Sequence, residues 1–133
     1  MKFPFTRYFP PLAWAGVILL LSSIPEPLKT APSDVSTFLL NLRVLGVGGV
    51  TLVSLLIHFT LYLVLGFLMT RAVENPGRVA SGRLLLALGV CVLFGFLDEL
   101  YQLTVPGRGF EWVDLLADGL GVVGGIILEL KAK

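Results

Sequence analysis

Four long apolar stretches run through the chain, each bounded by proline, glycine or charged residues. They cover residues 10–24, 50–70, 84–103 and 113–130. A membrane-spanning helix needs about 20 mainly apolar residues to cross roughly 30 Å of hydrocarbon. No stretch alternates polar and apolar positions as a half-buried strand does, and so few segments cannot close a barrel. The pattern predicts an all-α, integral membrane four-helix bundle in a single domain, residues 1–133.

A shorter helical pattern lies between the first two stretches, in residues too polar to cross a membrane. Residues 33–45 begin after Pro32 and end before Gly46, and their apolar side chains recur at helical spacing. These are Val35, Phe38, Leu39, Leu42 and Leu45. We expect a short interfacial helix on the outer leaflet with its apolar face toward the lipid. An irregular loop over the helix ends is the alternative.

Composition agrees with a membrane protein. Hydrophobic residues make up 56% of the chain and charged residues 14%, whereas soluble domains carry about 25% charged residues. The net charge of +1 excludes a strongly basic surface for nucleic acid. The single cysteine, Cys91, lies in an apolar run, which excludes a disulfide and a thiolate metal site. The first stretch resembles a signal peptide, but Pro25 stands where cleavage would fall, so we expect it to be retained.

The distribution of positive charge predicts the orientation. With four spans, seven lysines and arginines lie on one side and three on the other. Since cytoplasmic loops carry the excess, both termini are expected in the cytoplasm. The larger set is Lys2, Arg7, Arg71, Arg78, Arg83, Lys131 and Lys133, and the smaller set is Lys29, Arg43 and Arg108.

Ionisable residues in membrane-spanning segments are energetically costly, so each is expected to pair with another polar group or to have a function. In the second stretch, His58 and Tyr62 are four residues apart and share one helix face. In the third, Asp98, Glu99 and Gln102 fall within a sector of about 100°. Each helix therefore carries one polar face, and these faces are expected to meet.

The first and fourth stretches contribute polar groups to the same leaflet. Ser22 and Ser23 end the first stretch, while Asp114 and Asp118 lie in the first two turns of the fourth. In the predicted orientation all these groups lie in the outer half of the membrane, which predicts an outward-facing polar pocket. A purely structural role remains the alternative, because a carboxylate at a helix start stabilises the positive end of the helix dipole.

Adjacent carboxylates such as Asp98 and Glu99 repel one another and are costly to bury, so we expect a cationic side chain near them. Arg108, in a tight turn with Pro106 and Gly107, is the nearest candidate. Its guanidinium can bridge a carboxylate or hold a phosphate that enters from outside.

A GxxxG pattern at Gly121 and Gly125, preceded by Ala117, is typical of close helix packing. The same face is the candidate contact of a homo-oligomer.

The order of these motifs resembles the VanZ-like family of small bacterial membrane proteins over nearly the whole chain. The matching residues are Ser22-Ser23-x-Pro25, His58-Phe59-x-x-Tyr62-x-x-Gly66, Asp98-Glu99-x-x-Gln102, Pro106-Gly107-Arg108 and Asp114-x-x-x-Asp118-x-x-Gly121-x-x-x-Gly125. Two positions depart from the family pattern. Tyr101 stands where many members have histidine, and Ser54-Leu55 where many have an Asp-Lys pair.

The resemblance implies a multi-pass protein of the bacterial cytoplasmic membrane. It also implies a possible link to resistance against teicoplanin, a glycopeptide antibiotic with an acyl chain that acts on cell-wall precursors at the outer membrane face.

We expect the pocket to bind or modify a lipid or lipid-linked envelope molecule. The candidate catalytic residues are Glu99, His58 and Asp98, with a carboxylate or the imidazole as general base. Arg108 would hold a phosphate or carboxylate of the ligand. The candidate binding residues are Arg108, Gln102, Tyr62, Asp114, Asp118, Ser22 and Ser23.

Other functions remain open. One is a non-catalytic partner in an envelope complex, and a less favoured one is a small transporter. A serine nucleophile at Ser22 or Ser23 lacks an orienting motif. A metal hydrolase built from His58, Asp98, Asp114 and Asp118 lacks a two-histidine ligand motif, so no metal and no cofactor are expected.

Overall fold

The computed structural model describes residues 5–25, 33–44, 46–73 and 81–132. Within these ranges the chain is helical apart from one short β-ribbon and the connecting turns. The five helices are α1 (Phe5–Ser22), α2 (Ser33–Asn41), α3 (Gly49–Val73), α4 (Ser81–Gln102) and α5 (Trp112–Lys131). The ribbon pairs β1 (Arg43–Val44) with β2 (Val47–Gly48) in antiparallel register.

Two helices are long and apolar enough to cross a membrane. By length and composition these are α3 and α4, with mean hydropathies of 2.3 and 2.0 over their most apolar windows. They coincide with the predicted stretches 50–70 and 84–103. The stretches 10–24 and 113–130 are also helical, as α1 and α5, and the all-helical prediction is confirmed.

The interfacial segment ends earlier than its apolar spacing predicts. α2 ends at Asn41, so the prediction of a helix through residue 45 was wrong for residues 42–44. Leu45 lies outside the described residues. Gly46 has a positive φ of 84°, which glycine adopts without the steric cost of a side chain. This turn reverses the chain, and Val44 pairs with Val47 across it. β-branched side chains favour extended backbone, so the ribbon replaces the last helical turn.

The centre of the fold is α3, which contacts each of the other four helices. Its residues Tyr62 and Leu65 form a core with Ile18 of α1, Cys91 of α4 and Val122 of α5. Cys91 is a buried free thiol. The polar residues described below therefore lie on helices whose relative positions are fixed by this apolar core.

The closest helix contact joins α3 to α5 through glycine. A Cβ atom at Gly125 would overlap the backbone of α3, lying 2.6 Å from the nitrogen of Phe67. A Cβ at Gly121 would lie 3.0 Å from the nitrogen of Leu63. The predicted packing role of the GxxxG face is confirmed, and its partner is α3 of the same chain. A homo-oligomer through these glycines would have to displace α3.

We expect Gly125→Ala to lower the free energy of unfolding by about 1–3 kcal/mol, the usual effect of an extra methyl group in a well-packed interior. Gly119→Ala on the same helix is the matched control, because a Cβ there meets no atom within 4 Å. Unfolding of both variants in detergent with increasing denaturant measures the difference. Equal stabilities would contradict the close approach of α3 and α5.

Candidate functional site

Polar side chains from four helices converge at one end of the molecule. The contributing segments are the end of α1, the first half of α3, the end of α4 and the beginning of α5. The buried polar residues there are Ser22, His58, Tyr62, Asp98, Glu99, Gln102, Asp114 and Asp118. Residues far apart in sequence therefore form one cluster, as the shared leaflet of the four stretches predicts.

His58 lies between two carboxylates of α5. Its Nδ1 atom is 2.8 Å from Oδ1 of Asp118, and its Nε2 atom is 3.5 Å from Oδ2 of Asp114. Ser54, one helical turn earlier on α3, donates a 3.3 Å hydrogen bond to the same Asp114 oxygen. The imidazole is therefore oriented by contacts at both of its nitrogens.

Asp98 joins three helices through one carboxylate oxygen. Its Oδ2 atom accepts hydrogen bonds from Ser22 Oγ at 2.9 Å, Tyr62 OH at 3.3 Å and Gln102 Nε2 at 3.5 Å. The other oxygen, Oδ1, is buried and has no partner within the described ranges. Asp98 is thus held from one side and has an acceptor free on the other.

Glu99 is fully buried and faces the start of α5. Its Oε2 atom accepts a 3.0 Å hydrogen bond from the backbone N–H of Glu111. In the part of the chain that the structure describes, its Oε1 atom is buried without a hydrogen-bond partner. The same is true of Oδ1 of Asp98, Oδ1 of Asp114 and Oδ2 of Asp118. Such atoms are rare in folded proteins and require an explanation, such as a water or an ion.

Arg108 contacts α1 and does not form the carboxylate bridge considered from the sequence. Its Nη1 atom donates to the carbonyl oxygens of Ser22 at 2.9 Å and Leu21 at 3.4 Å. The last carbonyls of a helix lack intrahelical partners and carry partial negative charge, so a cation is stabilised there. Gly107, with a φ of 78°, makes the predicted tight turn that positions it. The Nε and Nη2 atoms have no partner among the described residues, which leaves donors for a ligand.

A cavity of about 410 Å³ opens beside this cluster, a volume within the usual range of small-molecule sites. Its apolar lining includes Ile18, Ile57 and Leu61, and its exposed lining includes Gly107 and Gly109. The polar lining comprises Ser22, Thr51, Ser54, His58, Tyr62, Asp98, Gln102, Arg108, Glu111 and Asp114. The cavity therefore combines an apolar surface with acceptors and one cation.

Three sequence-predicted residues do not line the cavity. Glu99 and Asp118 are buried next to it, where each contacts a residue of the cluster. Ser23 is separate from the cluster, since its hydroxyl donates to the carbonyls of Leu19 and Leu20 in its own helix. This is a common alternative for serine in a helix.

Three polar lining residues were not predicted, namely Thr51, Ser54 and Glu111. Ser54 and Thr51 lie four and seven residues before His58, so helical spacing places them on its face. That spacing was the available signal. No sequence signal predicts the hydrogen bond from the Glu111 backbone N–H to Glu99, because every non-proline residue carries the same N–H.

Comparison with known proteins agrees with the resemblance found in the motifs. The model of the VanZ/LLP1 family matches residues 8–130. No curated protein matches the chain. No solved structure matches it either. The family match spans the five helices almost completely and includes every residue of the polar cluster. The chain therefore belongs to the VanZ/LLP1 family.

Proposed function

We propose that the chain is a four-span protein of the bacterial cytoplasmic membrane whose pocket binds or modifies a lipid or lipid-linked envelope molecule. The observation that carries this proposal is the cavity, which places apolar wall residues beside buried carboxylates and a half-buried arginine. An amphiphile has the matching combination of an acyl chain and a polar head.

The outer surface of the helices supports the membrane location. Large apolar side chains are exposed on α1, α4 and α5, for example Leu20 (70%), Leu85 (67%) and Leu116 (67%). Soluble monomers rarely expose contiguous apolar patches of this kind, whereas lipid tails cover them. α1 and α5 would thus join α3 and α4 as spans, with both termini in the cytoplasm as the charge distribution predicts.

The charges in the cavity suggest how such a ligand would be oriented. Arg108 lies in the loop between α4 and α5 and is half-buried, so an anionic phosphate or carboxylate would be held there. Asp98 and Asp114 are buried and would repel an anion, but they accept hydrogen bonds from hydroxyl or amine groups. The acyl chain would lie along Ile57 and Leu61. Teicoplanin, a glycopeptide that carries an acyl chain and acts at the outer face of the membrane, would be a ligand of this form.

Native mass spectrometry tests the binding part of the proposal. We expect an amphiphile to co-purify with the wild-type protein in mild detergent. We expect Arg108→Gln to retain it about 10–100-fold less well, the usual effect of losing a hydrogen bond to a charged group. Arg43→Gln is the matched control, since Arg43 is also predicted on the outer side but is exposed on β1. Equal retention by both variants, or no bound amphiphile in the wild type, would refute the proposal.

Cysteine labelling tests the orientation. In a Cys91→Ser background, Gly109→Cys is expected to react in intact cells with a maleimide that cannot cross membranes, because residue 109 is exposed and has free space for a side chain. Ala132→Cys, also exposed, is expected to react only after permeabilisation. The reverse pattern would contradict an outward-facing pocket.

A catalytic form of the proposal uses the same residues. Of the candidates Glu99, His58 and Asp98, the latter two line the cavity. Either is within reach of a bound molecule as a general base, while Arg108 would stabilise developing negative charge.

A further inference from the structure

We propose that His58, Glu99 and Asp114 bind one divalent transition-metal ion, with Zn²⁺ as the best match. One ligand atom from each of the three residues lies within 4.8 Å of the others. A tetrahedral ion bound at about 2.1 Å requires ligand atoms roughly 3.4 Å apart. The 3.5 Å separation of His58 Nε2 and Asp114 Oδ2 already matches this geometry. One imidazole and two carboxylates form a donor set that Zn²⁺ accepts.

The unpartnered oxygens provide an independent argument. Glu99 is 0% exposed and its Oε1 atom has no partner within the described part of the chain. This atom is a buried acceptor on a proposed ligand. Asp114 is 5% exposed, and its Oδ1 atom also lacks a partner in the described ranges, although Oδ2 is the atom that faces His58.

The charge of the cluster points the same way. Four buried carboxylates surround a single imidazole, and among residues 5–25, 33–44, 46–73 and 81–132 no lysine or arginine forms an ion pair with any of them. The guanidinium of Arg108 is directed to carbonyl oxygens instead. A buried, uncompensated charge is costly. A divalent cation would supply a partner for Glu99 and the missing positive charge.

Each proposed ligand is also held by an outer contact. A metal-bound histidine usually donates its second ring N–H to a carboxylate, and Asp118 lies 2.8 Å from Nδ1 of His58. The hydroxyl of Ser54 holds the Asp114 carboxylate, and the backbone N–H of Glu111 holds that of Glu99. These contacts leave Nε2 and the two carboxylates to bind the ion.

The sequence predicted no metal site, since the chain has no two-histidine motif and the carboxylates considered as ligands there did not include Glu99. In the fold, Glu99 of α4 supplies the third ligand. Since His58 and Asp114 line the cavity, a fourth coordination position would be open to water or to an oxygen of a bound molecule. Metal binding itself is independent of whether that molecule is a lipid.

Metal analysis of the purified protein tests the inference. The protein, carrying a tag without histidine, is stripped with chelator, incubated with Zn²⁺ and analysed by inductively coupled plasma mass spectrometry. We expect about one ion per chain and a rise in melting temperature that EDTA reverses. Glu99→Gln is expected to remove the ion. Asp118→Asn, which keeps all three ligands, is expected to weaken binding by about 10–100-fold.

Glu129→Gln is the control, because Glu129 is a buried carboxylate at the opposite end of α5. It is expected to keep the full metal content. The inference fails if the wild type takes up no Zn²⁺. It also fails if Glu99→Gln and Asp118→Asn, measured on the fraction that remains folded by circular dichroism, bind Zn²⁺ as tightly as Glu129→Gln does.

Discussion

His58→Ala is expected to lower the free energy of unfolding by about 3–5 kcal/mol, the cost of removing one partner from a buried ionic pair. His58 is 6% exposed and contacts both Asp114 and Asp118. Alanine would remove these contacts and leave the two carboxylates without a cation, with the Ser54 hydroxyl as the remaining donor to Asp114. The substitution is predicted to be among the most destabilising in the chain.

Denaturant unfolding in detergent, with EDTA present so that no bound ion contributes, measures this effect. Thr60→Ala is the control, since Thr60 is an exposed residue of the same helix whose hydroxyl bonds only to the backbone of Leu56. The double variant His58→Ala/Asp118→Ala is expected to recover part of the loss, because it removes one unpaired carboxylate. A loss below about 1 kcal/mol, as for a surface substitution, would contradict the role of His58.

Asp98→Asn is expected to lower the rate of any lipid modification by about 10²–10⁴-fold, the usual contribution of a general base. Asparagine has nearly the same shape and can still accept hydrogen bonds from Ser22 and Tyr62. It replaces the unpartnered Oδ1 atom with an amide nitrogen that cannot accept a proton. Binding should therefore be retained while the chemical step is lost.

The rate is measured in proteoliposomes that contain the lipid identified with the wild type, and retention of that lipid is measured by native mass spectrometry. Thr51→Val is the companion variant, because Thr51 also lines the cavity but has no proposed proton-transfer role, so it is expected to keep the wild-type rate. Modification at the wild-type rate by Asp98→Asn would exclude Asp98 as the base.

The helices were predictable because their signals are local. Apolar runs ended by glycine, proline or charge identify α3 and α4, and the four-residue spacing of His58 and Tyr62 identifies the inner face of α3. The contact between Ser22 and Asp98, 76 residues apart, agrees with the expectation that the four polar ends lie together.

Contacts with backbone atoms were not predictable. Arg108 donates to the carbonyls that end α1, and Glu99 accepts from the N–H of Glu111. Carbonyl and N–H groups are present at nearly every residue, so the sequence does not mark which of them will be a partner. For the same reason the GxxxG pattern indicated close packing without indicating that α3 was its partner.

The end of α2 shows that helical spacing of apolar residues can continue beyond the last residue of the helix. Leu42 continues the apolar spacing of α2, but the left-handed turn at Gly46 lies between the paired strands β1 and β2. Ser23 shows a similar limit of sequence-based prediction. It is adjacent to Ser22 in the sequence, yet only Ser22 contacts the polar cluster. A rotation of about 100° per residue turns its hydroxyl away from the cluster and onto its own helix.

The most direct test of the central claim is a comparison of membrane lipids from cells with the wild-type protein and cells with an empty vector, together with native mass spectrometry of the purified protein. The account predicts that one lipid or lipid-linked molecule either changes mass with the wild type or co-purifies with it. A mass change would identify the reaction, and co-purification alone would identify a binding protein. If no lipid changes and none co-purifies, the pocket is not an amphiphile site and the proposed function is wrong.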